Sequence, residues 1–175
     1  LSDERMLFGI GPGYLTEEFV ALGVPKSKRG KLTDELLDIL HKAFTDETVE
    51  CNGQALILKP QPKRPPFYIG GGPNIAIPRA VKRGDGWMPV SILPNDLKPL
   101  VNDMNQQAAD AGRDQLEVVA MKTLPLDDLS EAVELAQRYR DVGATHLVHT
   151  QSYNSPSEYQ DLVDIVSHEI RPVVE

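Results

Sequence analysis

Apolar positions along the chain follow two alternating periods. Residues 6–10 form a short apolar run closed by glycines, which predicts a buried strand. Leu32, Leu36, Ile39, Leu40, Ala43 and Phe44 recur at three- and four-residue spacing, the mark of one helix face. Asn52-Gly53 then separates two apolar segments. Both positions of such a turn need positive φ, so the pair predicts a type I′ hairpin. Residues 59–66 hold too much proline for a helix or a central strand. The stretch 47–66 therefore reads as a hairpin and proline-rich insertion within a single domain spanning 1–175.

Phe67-Tyr68-Ile69 predicts the second strand, followed by a helix over 74–83, with Pro78 tolerated because it falls near the first turn. Residues 87–90 read as a third strand. Leu97, Leu100, Val101, Met104, Ala108 and Ala111 make the next helix, which Gly112 stops. A fourth strand over 116–121 leads to a helix over 128–142 with apolar Leu129, Val133, Ala136 and Tyr139. Residues 145–150 form the fifth strand. Ser155-Pro156-Ser157-Glu158 combines an N-cap serine, proline at the first helical position and glutamate at the third. The helix it opens buries Leu162, Val163, Val166 and Ile170. Five successive βα units predict an α/β fold with a parallel sheet and helices outside. A doubly wound sheet and a barrel both fit. A complete barrel needs eight units and typically ~250 residues.

Composition narrows the class. The 175 residues carry a net charge of −8, with 41% hydrophobic and 25% charged positions, which suits one globular core. No apolar run approaches the ~20 residues of a membrane span, so no membrane partner is expected. The acidic balance argues against a nucleic-acid face. A lone Cys51 allows no intrachain disulfide and favours a reducing, cytoplasmic setting. The chain opens on Leu1 and runs almost at once into a strand, so it reads as the tail of a longer protein.

Two glycine clusters carry the candidate chemistry. Gly9-Ile10-Gly11-Pro12-Gly13-Tyr14 follows the first strand, but its spacing does not match G-x-G-x-x-G, and no Gly-Lys-Ser/Thr follows. It remains either a loop where backbone can approach a flat ligand or a simple strand-to-helix turn. Gly70-Gly71-Gly72-Pro73-Asn74 lies between a strand and a helix, where free N–H groups at a helix start suit a phosphate. A tight βα turn is the plain alternative.

Taken with their neighbours, these clusters resemble the bacterial luciferase-like monooxygenase family. The resemblance rests on Leu1-Ser2-Asp3-Glu4-Arg5, Phe8 through Tyr14, Glu17-Glu18-Phe19 and Ala21-Leu22-Gly23-Val24-Pro25. It continues through Arg29-Gly30, Thr33-Asp34-Glu35, Lys59-Pro60, Pro65 through Gly71, Arg83-Gly84-Asp85-Gly86-Trp87 and Ala111-Gly112-Arg113-Asp114. It implies a (β/α)8 TIM barrel of which this chain holds strands four to eight, with FMN or coenzyme F420 at the C-terminal strand ends. Members are flavin-dependent monooxygenases or deazaflavin-dependent hydride-transfer enzymes acting on small-molecule substrates. By the resemblance, Gly11, Gly13 and Tyr14 lie beside the ring system or ribityl chain, and Gly71, Gly72 and Asn74 hold the coenzyme phosphate.

Strands one to three are absent here, so the chain is expected either to belong to a longer gene product or to form a homo-oligomer through its open side. A non-catalytic half-barrel that binds flavin or a partner chain is the alternative function. Asp85 is expected to fix a loop and Trp87 to lie in the core. Glu17 and Glu18 read as helix-dipole complements, the alternative being that one of them orients a cofactor hydroxyl. His41 and His168 are expected in solvent. His146 and His149 fall on alternate faces of the last strand. His149, nearer its C-terminal end, is a weak candidate for acid–base work because no carboxylate or nucleophile stands at a spacing that names it. No catalytic acid or base is otherwise named, and no Cys/His cluster suggests a metal.

Overall fold

The computed structural model describes residues 5–174, so Leu1-Ser2-Asp3-Glu4 of the first motif lies outside it. The elements are β1 (Phe8–Ile10), α1 (Thr16–Ala21), a 3₁₀ turn (Lys26–Lys28), α2 (Arg29–Thr45), β2 (Val49–Cys51), β3 (Gln54–Leu56), β4 (Phe67–Gly70) and α3 (Pro73–Arg83). They continue with β5 (Gly86–Met88), α4 (Pro94–Asp110), β6 (Glu117–Lys122), α5 (Leu129–Asp141), β7 (His146–His149), α6 (Pro156–Ile165), a π turn (Val166–Ile170) and α7 (Arg171–Val174).

Five strands form one sheet in the order β1-β4-β5-β6-β7, every pair parallel. Ile69, Trp87 and Val118 stand opposite one another in register and are fully buried. With Leu97, Val101 and Met104 of α4 and Ile77 and Ala80 of α3, they form the main core. The adjacent row, Tyr68, Gly86 and Glu117, points to the other face because side chains alternate along a strand. A Cβ on Gly86 would lie 2.8 Å from the Tyr68 ring. The bare glycine thus lets Tyr68 cross β5 and donate its hydroxyl to Glu117 Oε2 at 2.5 Å.

The expected elements stand with several corrections. In α2 the inward face is turned relative to the pattern read from the sequence. Thr33 and Leu37 are buried, whereas Leu32 and Leu36 are 39% and 49% exposed. His41 is on the inward face and not in solvent: its Nε2–H donates to the Arg83 carbonyl at 2.7 Å, and its ring lies 5.2 Å from that of Phe67. His168 is exposed, as expected. Pro78 is the sixth residue of α3, one position deeper than in the predicted helix and past the first turn. It is exposed, where water can serve the carbonyl that it deprives of a donor. Leu129 and Ala111 are exposed, and on the final helical stretch only Ile170 is buried. Six-residue α1 was not foreseen.

The hairpin turn takes the positive φ pair it needs, 52° at Asn52 and 74° at Gly53. Asp85 locks the start of the sheet. Arg64 donates to both of its carboxylate oxygens at 2.6 and 2.7 Å, and the Phe67 N–H donates at 2.7 Å. Burial opposes its ionisation, but these hydrogen bonds outweigh it and hold the carboxyl below its ordinary range. Arg113 caps α3 by donating to the carbonyls of Ala80, Val81 and Gly84.

Among the described residues β1 and β7 are the two edges of the sheet. Apolar Met6, Leu7 and Phe8 on the β1 side are 51%, 52% and 39% exposed, and Val148 of β7 is 38% exposed. No described helix is long and apolar enough to cross a membrane.

Candidate functional site at the carboxyl ends of the first two sheet strands

The chain turns sharply where β1 and β4 end. Gly13 has φ 77° and Gly71 φ 128°, values that L side chains rarely adopt. Between these turns lies a cleft of about 370 Å³, with Pro12, Gly13 and Gly70-Gly71-Gly72 on one side and Ser27, Arg29 and Gly30 on the other. Ile75, Ala76 and Arg79 of α3 complete it.

The loop between β4 and α3 is held from below. Trp87 Nε1–H donates to the Gly71 carbonyl at 3.1 Å. The Gly72 carbonyl accepts from the Ile75 and Ala76 N–H groups at 3.1 and 2.9 Å and so starts the helix. The Gly72 N–H makes no hydrogen bond to the described residues, whereas the pairing of Gly70 with Met88 directs the Gly71 N–H at the Met88 carbonyl, because Pro89 has no N–H to close that bridge. A Cβ on Gly72 would meet nothing within 4 Å, so the space in front of it is open. The free Gly72 amide at the start of an eleven-residue helix makes a place for negative charge.

Arginines stand on the opposite wall in two different states. Arg79 is buried and committed, with Nε on Asp34 Oδ1 at 2.7 Å and Nη2 on the Gly30 carbonyl at 3.3 Å. It fixes the start of α2 against α3. Arg29 is exposed and donates only to the Lys26 carbonyl, at 3.1 Å. The donor set of the Gly72 amide, the Ser27 hydroxyl and the Arg29 guanidinium fits a phosphate oxyanion.

Of the residues singled out by sequence, Gly13, Gly71 and Gly72 share this cleft. Gly11 lies just outside it; its Cα would be 3.7 Å from a Cβ on Gly70. Tyr14 is 80% exposed and Asn74 is exposed, and neither lines the cleft. Ser27, Arg29 and Arg79 were not singled out as site residues.

His149 sits at the carboxyl end of β7, on the same rim of the sheet. Its Nδ1 accepts from the Leu124 N–H at 3.0 Å, so Nε2 carries the hydrogen and donates to Gln151 Oε1 at 3.0 Å. Both ring nitrogens are committed to joining the ends of β6 and β7. At the other end of that strand, His146 Nδ1 lies 3.6 Å from Glu117 Oε2. Burial, then the hydrogen bond to Glu117, pushes the Tyr68 phenol well above its ordinary value. No group of three or more potential metal ligands occurs among the described residues.

The comparisons fit this geometry. The uncharacterized proteins Rv0940c and Rv0953c of Mycobacterium tuberculosis are 27% and 28% identical to the chain over 157 residues, which is 85% of this chain. The chain spans about half of their length, 52% and 53%. Among solved structures, an F420-dependent secondary alcohol dehydrogenase in complex with an F420-acetone adduct superimposes with a TM-score of 0.77 at 19% identity, covering 98% of this chain and 70% of the other. The coenzyme F420-dependent tetrahydromethanopterin reductase of Methanopyrus kandleri superimposes with a TM-score of 0.62 at 14% identity, covering 98% and 75%. The five-stranded parallel sheet with its outer helices is thus part of a TIM-barrel fold. The profile of luciferase-like monooxygenases matches residues 1–166, and the chain belongs to that family.

Proposed function

We propose that this chain is the coenzyme-phosphate half of a luciferase-like oxidoreductase that uses FMN or coenzyme F420 on a small-molecule substrate. The observation that carries the reading is the meeting of Gly13 with Gly71 and Gly72 in one cleft, with the unpaired Gly72 amide at a helix start. Gly72 would donate its N–H group to the phosphate, Gly71 would form the turn that lets the phosphate approach, and Ser27 and Arg29 would close the other side. Gly11 lies where the β1 loop runs toward the centre of the rim, and Tyr14 and Asn74 remain in reach of solvent for the rest of the coenzyme. When bound, the coenzyme supplies hydride or oxygen chemistry. The protein's part is to orient it and to exclude water. A cytoplasmic setting agrees with the acidic charge and the single cysteine.

Titration of the full-length gene product with FMN and with F420, followed by visible absorbance and fluorescence, tests this. Saturable binding of at least one is expected. Failure of both would favour a non-catalytic interaction module, a reading supported by the exposed apolar edge at Met6, Leu7 and Phe8.

A further inference from the structure

Building on the phosphate-site reading, we propose that Lys26, Lys28 and Arg29 form a cationic lip that receives an anionic tail continuing beyond the coenzyme phosphate. The site would then take F420, with its oligoglutamate tail, in preference to FMN.

The chain is acidic overall, with 26 carboxylate residues against 18 lysines and arginines. Yet Lys26, Lys28, Arg29 and Lys31 fall within six positions that contain no acid. This segment enters α2 along the wall of the cleft, with Ser27, Arg29 and Gly30 facing Gly70-Gly71-Gly72. Lys26 Nζ is held by Thr16 Oγ1 at 2.8 Å, beside the loop that carries Gly13.

Local structure does not account for these charges. Lys31 pairs with Glu35 at 3.4 Å, and Arg79 is neutralised by Asp34. Among the described residues no carboxylate lies within ion-pair distance of Lys26, Lys28 or Arg29. They stand at the amino end of a seventeen-residue helix whose first turn holds no acid, where positive charge opposes the helix dipole. A bound anion would relieve that arrangement.

The two coenzymes differ beyond the phosphate. FMN ends at its phosphate monoester. F420 continues through a lactyl phosphodiester into glutamates, each adding a carboxylate. The phosphate alone would engage the Gly72 amide, Ser27 and Arg29, whereas Lys26 and Lys28, the chain neighbours of those cleft residues, would be left for a tail.

Binding of three probes to the full-length protein tests the proposal: F420 with its glutamate tail, the same coenzyme ending at the lactyl group, and FMN. The tailed coenzyme is expected to bind more tightly than the tail-less one by about threefold to tenfold, the sum of two or three exposed ion pairs. That ratio should fall as salt shortens the screening length below the ~10 Å of 0.1 M solution. In K26Q/K28Q it should approach one, and K28Q alone should lower it partway if the double variant does not fold. Equal affinity for tailed and tail-less coenzyme, a ratio that survives both variants, or preference for FMN would overturn the proposal and leave the phosphate site standing. Binding of none of the three would overturn the phosphate reading itself.

Discussion

Trp87 Nε1 donates to the Gly71 carbonyl at 3.1 Å, so the largest fully buried side chain of the sheet also fixes the loop at the proposed phosphate site. Core packing and site geometry therefore share one residue. Trp87→Phe removes the donor and part of the packed volume. Thermal or urea unfolding should show a loss of about 1–3 kcal/mol. Coenzyme affinity should fall as well, because Gly71 loses its tether. Unchanged affinity in a folded variant would separate the two roles.

The two glycines of the cradle should respond differently to valine. Gly71 has φ 128°, so Gly71→Val strains the backbone and costs stability of about 1–3 kcal/mol along with binding. Gly72 has φ −63° and open space in front of it. Gly72→Val should cost less than about 1 kcal/mol, mainly as a poorer helix cap, yet obstruct the cleft. Calorimetry of both variants beside coenzyme titration checks the split.

Asp85 sets a pH dependence. Its folded carboxyl lies below the unfolded value of about 3.9, so its contribution is complete above that pH and is lost as pH falls through the folded value. Asp85→Asn should destabilise by about 1–3 kcal/mol at pH 7, because Arg64 and the Phe67 N–H lose an ionised partner. Urea midpoints of parent and variant should converge between pH 4 and lower values, about where the carboxyl protonates. A gap that stays constant down to the acid transition would assign the effect to packing.

Much of this was legible in the sequence, for identifiable reasons. Strand and helix periods mark the parallel sheet, and Asn52-Gly53 marks its own turn. Ser155 at the start of α6 accepts from the Glu158 N–H at 3.2 Å, as the Ser-Pro-Ser-Glu pattern implies. His41 carried a signal too: it is four residues after Leu37 and three before Phe44, on the face that proves to be buried. Leu32 and Leu36 misled the assignment of that face because hydrophobicity alone does not say which neighbour is present to cover it. Arg29 could not be told from other surface arginines, since the cleft wall forms only when the start of α2 folds over the β4–α3 loop. Tyr14 and Asn74 adjoin cleft residues in sequence, but their side chains turn outward.

The open edges of the sheet make a prediction about association. β1 and β7 each have one strand neighbour among the described residues, and Met6, Leu7 and Phe8 are exposed beside the first. A parallel sheet ordinarily buries such surface. The isolated 175-residue chain should self-associate or aggregate. Size-exclusion chromatography with light scattering checks this, and a well-behaved monomer of 19.3 kDa would count against it.

A crystal structure of the full-length protein with FMN or F420 bound tests the central claim most directly. The account places a phosphate oxygen about 3 Å from the Gly72 N–H, against the Gly71 turn, with Ser27 and Arg29 lining the same cleft. A phosphate bound elsewhere on the rim, with the Gly72 amide turned to another partner, would contradict it.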